Sequence, residues 1–226
     1  MPPPEILMRP TLWIEIGYAI IMIATCLIIY FRTKEVHKLS QYKGIKYFRL
    51  SFLFFAITYL LRSIVSIQKM IFGRLEFRNL GLHGLPQLLI MYAGSMALLY
   101  LIHSMIWKKF KNPNKISKRL HLIAATIAIV SFMFGREGSI LFGLTQIVFF
   151  ISAMILIIKG HNKSKKKKKS TSQFHIVYIL FFASWIINGI ALFVLVTVST
   201  IIGWIIYLIS ILLLILITIK IIKITK

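Results

Sequence analysis

Two ionisable side chains of opposite sign, Glu15 and Arg62, lie inside stretches otherwise apolar enough to enter a lipid bilayer. A charge at membrane depth costs roughly 2.5–3.5 kcal/mol on insertion scales, so each needs a partner or a wet cavity. Both lie a few residues inside their stretch, roughly 5–8 Å below the same boundary at the helical rise. Pairing is the simplest way to offset the cost. Each also extends a polar stripe at helical spacing: Glu15, Tyr18, Met22 and Thr25 on the first stretch, Thr58, Arg62 and Ser66 on the second. Gln87, Gln146, Asn188 and Tyr207 fall at comparable depth on four further apolar stretches. Polar groups so placed face a bundle interior or a water-filled cavity. Glu15, Arg62, Gln87, Gln146, Asn188 and Tyr207 are therefore expected to line an outward-facing polar pocket that takes a ligand. The competing role is interhelical hydrogen bonding, at roughly 0.6–2 kcal/mol per group.

Histidines gather toward the other boundary: His103 closes one apolar stretch, His121 opens the next, His175 opens a later one, and His161 lies in a loop. Imidazoles on different helices are able to ligate haem or a metal. No pair here shows ligand spacing on one helix, and no Cys or carboxylate accompanies them, so no metal and no cofactor is expected. The chemistry of soluble enzymes has no carriers either. There is no phosphate-binding glycine loop, no H-E-x-x-H, no G-x-S-x-G and no aspartate. The chain is read as a non-enzyme. The single cysteine, Cys26, lies in an apolar stretch and has no partner in the chain for a disulfide.

The elements that must position these groups are membrane helices. Of 226 residues, 58% are hydrophobic, with 28 Lys+Arg against 5 acidic residues and a formal charge of +23. A soluble domain is about 45–50% apolar. The continuous apolar runs exclude a membrane β-barrel, leaving helices as the way to satisfy the backbone in lipid. Seven spans are expected, at about 12–31, 47–67, 85–107, 120–134, 139–158, 174–196 and 201–219. Basic loops follow the first, third and fifth, with a basic tail at 220–226. All Lys and Arg fall on that side except Arg9, Lys69, Arg74, Arg78, Arg136 and the in-span Arg62. The positive-inside rule then places the N-terminus outside and the C-terminus in the cytoplasm of a multi-pass cell-membrane protein. Residues 1–11 form a short outer segment without a basic signal-peptide n-region. A turn is expected at Gly135–Gly138. The charge belongs to topology, so no nucleic acid is expected as a partner.

The loop at 159–172 contains Lys165, Lys166, Lys167, Lys168 and Lys169, suited to anionic lipid headgroups of the inner leaflet at roughly 1 kcal/mol per basic residue. Docking of an acidic cytoplasmic protein is the alternative use. Small residues, Ala93-Gly94-Ser95 with Ala97 and Ala124-x-x-x-Ala128, mark close helix crossings.

The segment RTKEVHKLSQYKGIKYFRLSFLFFAITYLLR, residues 32–62, resembles uncharacterised archaeal multispan membrane proteins. That resemblance implies a lineage and no activity. Taken together, the residues point to an all-α polytopic membrane protein: a seven-transmembrane-helix bundle forming one domain over residues 12–219. Its expected function is receptor-like or sensory, with output through a separate cytoplasmic partner. The alternatives are a small-solute transporter with a 3+1+3 arrangement and a structural or assembly subunit.

Overall fold

The structure, a computed structural model, describes residues 10–41, 43–79, 84–107, 113–164, 179, 180, 183, 187 and 200–225. Among these residues the chain is all-helical. The helices are α1 (Pro10–Ser40), α2 (Lys43–Asn79), α3 (Gly84–Ile106), α4 (Pro113–Met133), α5 (Gly135–Ser164) and α6 (Thr200–Thr225). Three of them carry a proline in their first turn, Pro10, Pro86 and Pro113. A first-turn proline forgoes no intrahelical bond and enters with its φ already helical.

Four helices are long and apolar enough to cross a membrane, over Ile16–Lys38, Lys43–Gln68, Gly84–Ile106 and Ile116–Met133. A shorter apolar stretch, Ile140–Leu156, lies on α5. The described residues thus give six helices and four candidate spans, fewer than the seven expected. Most of the expected sixth span, 174–196, lies outside the described residues, as do Lys165 to Lys169 and the segment 1–9.

The helices run past the ends of the apolar stretches. The expected basic loop after the first span is mostly helix, with a turn at Gln41. Gln41 takes φ 52°, its N–H donates to the His37 carbonyl at 2.9 Å, and its Nε2 donates to the Lys38 carbonyl at 3.1 Å. This is a left-handed cap made by a residue other than glycine. Helix α2 continues twelve residues past the expected end of its span, to Asn79. The GREG turn contracts to Phe134–Gly135: α5 begins at Gly135, at φ 56°, where an L side chain would be strained. The physical reason is common to all three. Hydropathy reports where the chain leaves an apolar environment, whereas a helix ends where a breaker or cap stops its hydrogen-bond ladder.

Helix α3 is the most buried of the four spans and packs against α2, α4 and α5, while α1 packs between α2 and α6. The expected small-residue crossing is there. Ala93, Ser95 and Ala97 are buried, and a Cβ on Gly94 would stand 3.4 Å from Phe142 of α5 and 3.9 Å from Thr58 of α2. Ala124 and Ala128 of α4 are fully buried as well. The main core joins Tyr18, Met22, Cys26 and Ile29 of α1 to Phe48, Phe52 and Phe55 of α2, with Leu214, Ile217 and Ile221 of α6. A second cluster, Tyr47, Met96, Leu99, Tyr100 and Ala124, lies between α2, α3 and α4.

Candidate functional site

Serines and threonines within the helices mostly satisfy themselves. Thr58, Ser63, Thr126, Ser152 and Thr218 each donate to the carbonyl four residues back. Such hydroxyls need no partner from another helix. Besides the isolated pairs Gln146–Ser95 and Arg49–Tyr30, the described side chains that hydrogen-bond across helices gather in two junctions.

The first lies between α1, α2 and α6. The Tyr18 hydroxyl is 3.1 Å from Ser210 Oγ, and its ring meets Tyr59 edge-on with centroids 6.0 Å apart. Arg62, three residues beyond Tyr59, is within electrostatic reach of both hydroxyls. Phe55, Tyr59 and Arg62 share one side of α2, being spaced four and three residues apart. Along that side Phe55 is buried, Tyr59 half-covered and Arg62 exposed. Arg62 is thus the exposed member of that side, and Val65, three residues further on, is buried again.

The second junction lies between α2, α3 and α4. His121 of α4 has both ring nitrogens engaged: Nδ1 is 2.6 Å from the Tyr92 hydroxyl and Nε2 is 3.0 Å from the Tyr100 hydroxyl. The Tyr100 hydroxyl is also 3.2 Å from Ser117 Oγ, one turn before His121. Phe54 of α2 meets the His121 ring edge-on at 6.3 Å and tilts against Tyr100 at 5.5 Å. Tyr47 links the cluster to a second imidazole. It stacks with Tyr100 at 6.0 Å and meets His103 edge-on at 4.3 Å. Two of the histidines noted in the sequence, His103 and His121, thus belong to one aromatic cluster. Among the described residues no three His, Cys, Asp or Glu side chains are grouped to hold a metal ion.

His121 does not open its helix as the expected span of 120–134 implied. Helix α4 begins at Pro113, eight residues earlier, so His121 is two turns inside it. Pro113 stands at the first position of the helix, where its fixed φ and missing N–H cost no intrahelical bond.

The six residues expected to line a pocket are placed as follows. Arg62 is exposed on α2, Gln87 is half-buried in the first turn of α3, and Gln146 is buried on α5. Gln146 Nε2 donates to Ser95 Oγ of α3 at 3.3 Å, which ties those two helices. The backbones of Glu15 and Tyr207 lie in α1 and α6, but their side chains are outside the described residues, as are Asn188 and His175 altogether. Tyr92, Tyr100 and Ser117 were not singled out from the sequence. Their signal is the spacing: Tyr92, Met96 and Tyr100 form one stripe on α3, and Ser117 precedes His121 by four.

No protein-family model matches the chain, and no solved structure matches it. An uncharacterized protein of the archaeon Archaeoglobus fulgidus is 30% identical over 197 residues, which take in 83% of this chain and 85% of the relative. The resemblance carried by residues 32–62 therefore extends over most of both chains. At that identity and coverage, this chain belongs to one family with the uncharacterized archaeal protein.

Proposed function

We propose that the chain is a receptor-like, sensory membrane protein of seven spans with its N-terminus outside. In this reading an anionic small molecule binds at Arg62, beside the α1–α2–α6 junction. The basic loops at the opposite end, with Lys165 to Lys169, pass the change to anionic lipid or to a cytoplasmic protein. The observation that carries the reading is Arg62, an exposed cation on the side of α2 that holds Phe55 and Tyr59 against the core. A guanidinium is the usual group for bidentate carboxylate or phosphate recognition. Keeping it within a candidate membrane span costs roughly 2.5–3.5 kcal/mol, which a merely structural position does not require. Glu15, Gln87, Gln146, Asn188 and Tyr207 complete the proposed lining.

The test compares the melting of the detergent-purified wild type with Glu15→Gln, Arg62→Gln and the double variant, with and without small carboxylates and phosphate esters. A ligand at a hundredfold excess over its Kd stabilises by about 2.7 kcal/mol, which raises Tm by about 5–10 °C in a chain of this size. The reading predicts such a rise in the wild type and its loss in Arg62→Gln. Two sharply destabilised single variants, with a double variant that recovers, would instead make Glu15 and Arg62 a structural ion pair and remove the pocket's main support.

A further inference from the structure

The sensory reading makes no use of the second junction, and the hydrogen-bond chemistry there differs from that of ordinary interhelical contacts. The bond from Gln146 to Ser95 has a fixed polarity, because an amide N–H only donates. In the chain Tyr92–His121–Tyr100–Ser117 every member both donates and accepts. Each phenol and the serine carry one O–H and lone pairs, and neutral imidazole carries one N–H and one bare nitrogen. The contacts of 2.6, 3.0 and 3.2 Å are continuous from Tyr92 Oη through the ring to Ser117 Oγ.

We propose that this chain is a proton relay and that the protein passes protons through it. With Nδ1 bare, a proton arriving on Tyr92 Oη displaces the phenolic proton onto Nδ1. The N–H proton at Nε2 moves to Tyr100 Oη, the Tyr100 proton moves to Ser117 Oγ, and the Ser117 proton leaves. One proton enters and one departs. Every oxygen keeps its bond order, the imidazole changes only its tautomer, and no oxidant or reductant takes part. A flip of the imidazole ring, which returns an N–H toward Tyr100 and a bare nitrogen toward Tyr92, together with reorientation of the hydroxyls restores the starting polarity.

The surroundings suit such a path. Phe54 of α2 and Tyr92 and Tyr100 of α3 meet the His121 ring, Tyr47 stacks on Tyr100 and meets His103, and Phe149 of α5 packs on the same cluster. The adjacent cations of α4, Lys118 and Arg119, are exposed. Ser117 is half-buried beside these two exposed cations, whereas Tyr92 lies eight residues back along α3 from Tyr100 and is half-exposed.

The experiment uses the full chain in vesicles of phosphatidylcholine and phosphatidylglycerol that enclose a pH-sensitive dye. Potassium and valinomycin discharge the potential, and a pH step is imposed outside. The relay predicts that wild-type vesicles equilibrate faster than protein-free ones. Tyr92→Phe and Tyr100→Phe, which keep the ring and remove the hydroxyl, should each slow the protein-dependent rate on the order of a hundredfold, as expected for loss of a positioned proton carrier. Tyr47→Phe, whose ring stacks on Tyr100, should match the wild type. Two relay variants are included so that misfolding of one leaves the other decisive, and melting curves identify a misfolded chain. A wild-type rate equal to that of protein-free vesicles overturns the proposal, and so does a wild-type rate in a folded Tyr92→Phe or Tyr100→Phe. Arg62→Gln should leave the flux intact, which separates this result from the fate of the sensory reading.

Discussion

At the α3–α4 junction both nitrogens of His121 are held by tyrosine hydroxyls and the ring is walled by aromatic side chains. At the α1–α2–α6 junction the Tyr18 hydroxyl reaches Ser210, while Arg62 stands exposed beside the tyrosines. Both junctions put polar groups within candidate membrane spans. One closes its hydrogen bonds inside the protein and the other presents a charge outward. A polar group in a membrane protein is tolerated for either reason: its partners are supplied by neighbouring helices, or it is kept uncovered for something that binds. Burial alone does not separate these cases. The count of partners around each group does.

Replacing His121 by leucine is the strongest way to break this contrast. It fills much of the space but leaves the Tyr92 hydroxyl and one side of the Tyr100 hydroxyl without their partner, at about 1–3 kcal/mol for each orphaned group. Reversible unfolding in mixed micelles should show a loss on the order of 3 kcal/mol. A loss below the error of the measurement means that water or lipid replaces the ring, and the junction is no more closed than the other one.

A second change asks whether the closed junction depends on the tight crossing beside it. Gly94→Leu drives a side chain into Phe142 and Thr58, and overpacking of this kind costs about 1–3 kcal/mol. Gly94→Ala should be tolerated far better, because its Cβ finds the 3.4 Å contact already near ordinary packing distance. Equal stabilities for the two variants would show that α5 is free to move away from α3.

The open junction should respond weakly. A double-mutant cycle on Tyr18→Phe and Ser210→Ala is expected to return a coupling of about 0.6 kcal/mol, the mean for hydrogen bonds within membrane proteins. A coupling above about 2 kcal/mol would place this bond beyond the range seen for such contacts and make the junction structural. The smallest loss is expected for Arg62→Leu: none at all, or a gain, since a group retained for binding is commonly held at the expense of stability. A clear loss of stability would mean that Arg62 is paired, and the contrast between the junctions would fall.

Several of these features were legible from the residues. The burial of Tyr18, Met22 and Thr25 follows from their helical spacing on an apolar helix, and all three face the core. The small residues around Gly94 announced a close crossing, because only such side chains let two backbones approach. Helix ends were not legible in the same way. Asn79 and Ser164 lie far beyond the apolar stretches, since nothing before them interrupts the ladder. That error hid the cluster at His121, which looked like an interfacial residue until α4 proved to begin at Pro113.

By itself the sequence determined the class of structure and pointed to lipid as its solvent. Apolar runs bounded by basic segments must become helices in lipid, because the backbone there has no other donor or acceptor. It also determined which side chains would be costly to bury, through their type alone. Tertiary structure decided which of them meet. Tyr92, Tyr100, Ser117 and His121 come from two helices, and their hydrogen bonds depend on the axial register of α3 against α4. A shift of one residue rotates a helix face by about 100° and moves it 1.5 Å, enough to separate every one of these partners. Register is set by how Met96, Leu99 and Tyr100 of α3 pack with Ala124 of α4, and no local pattern along the chain encodes it.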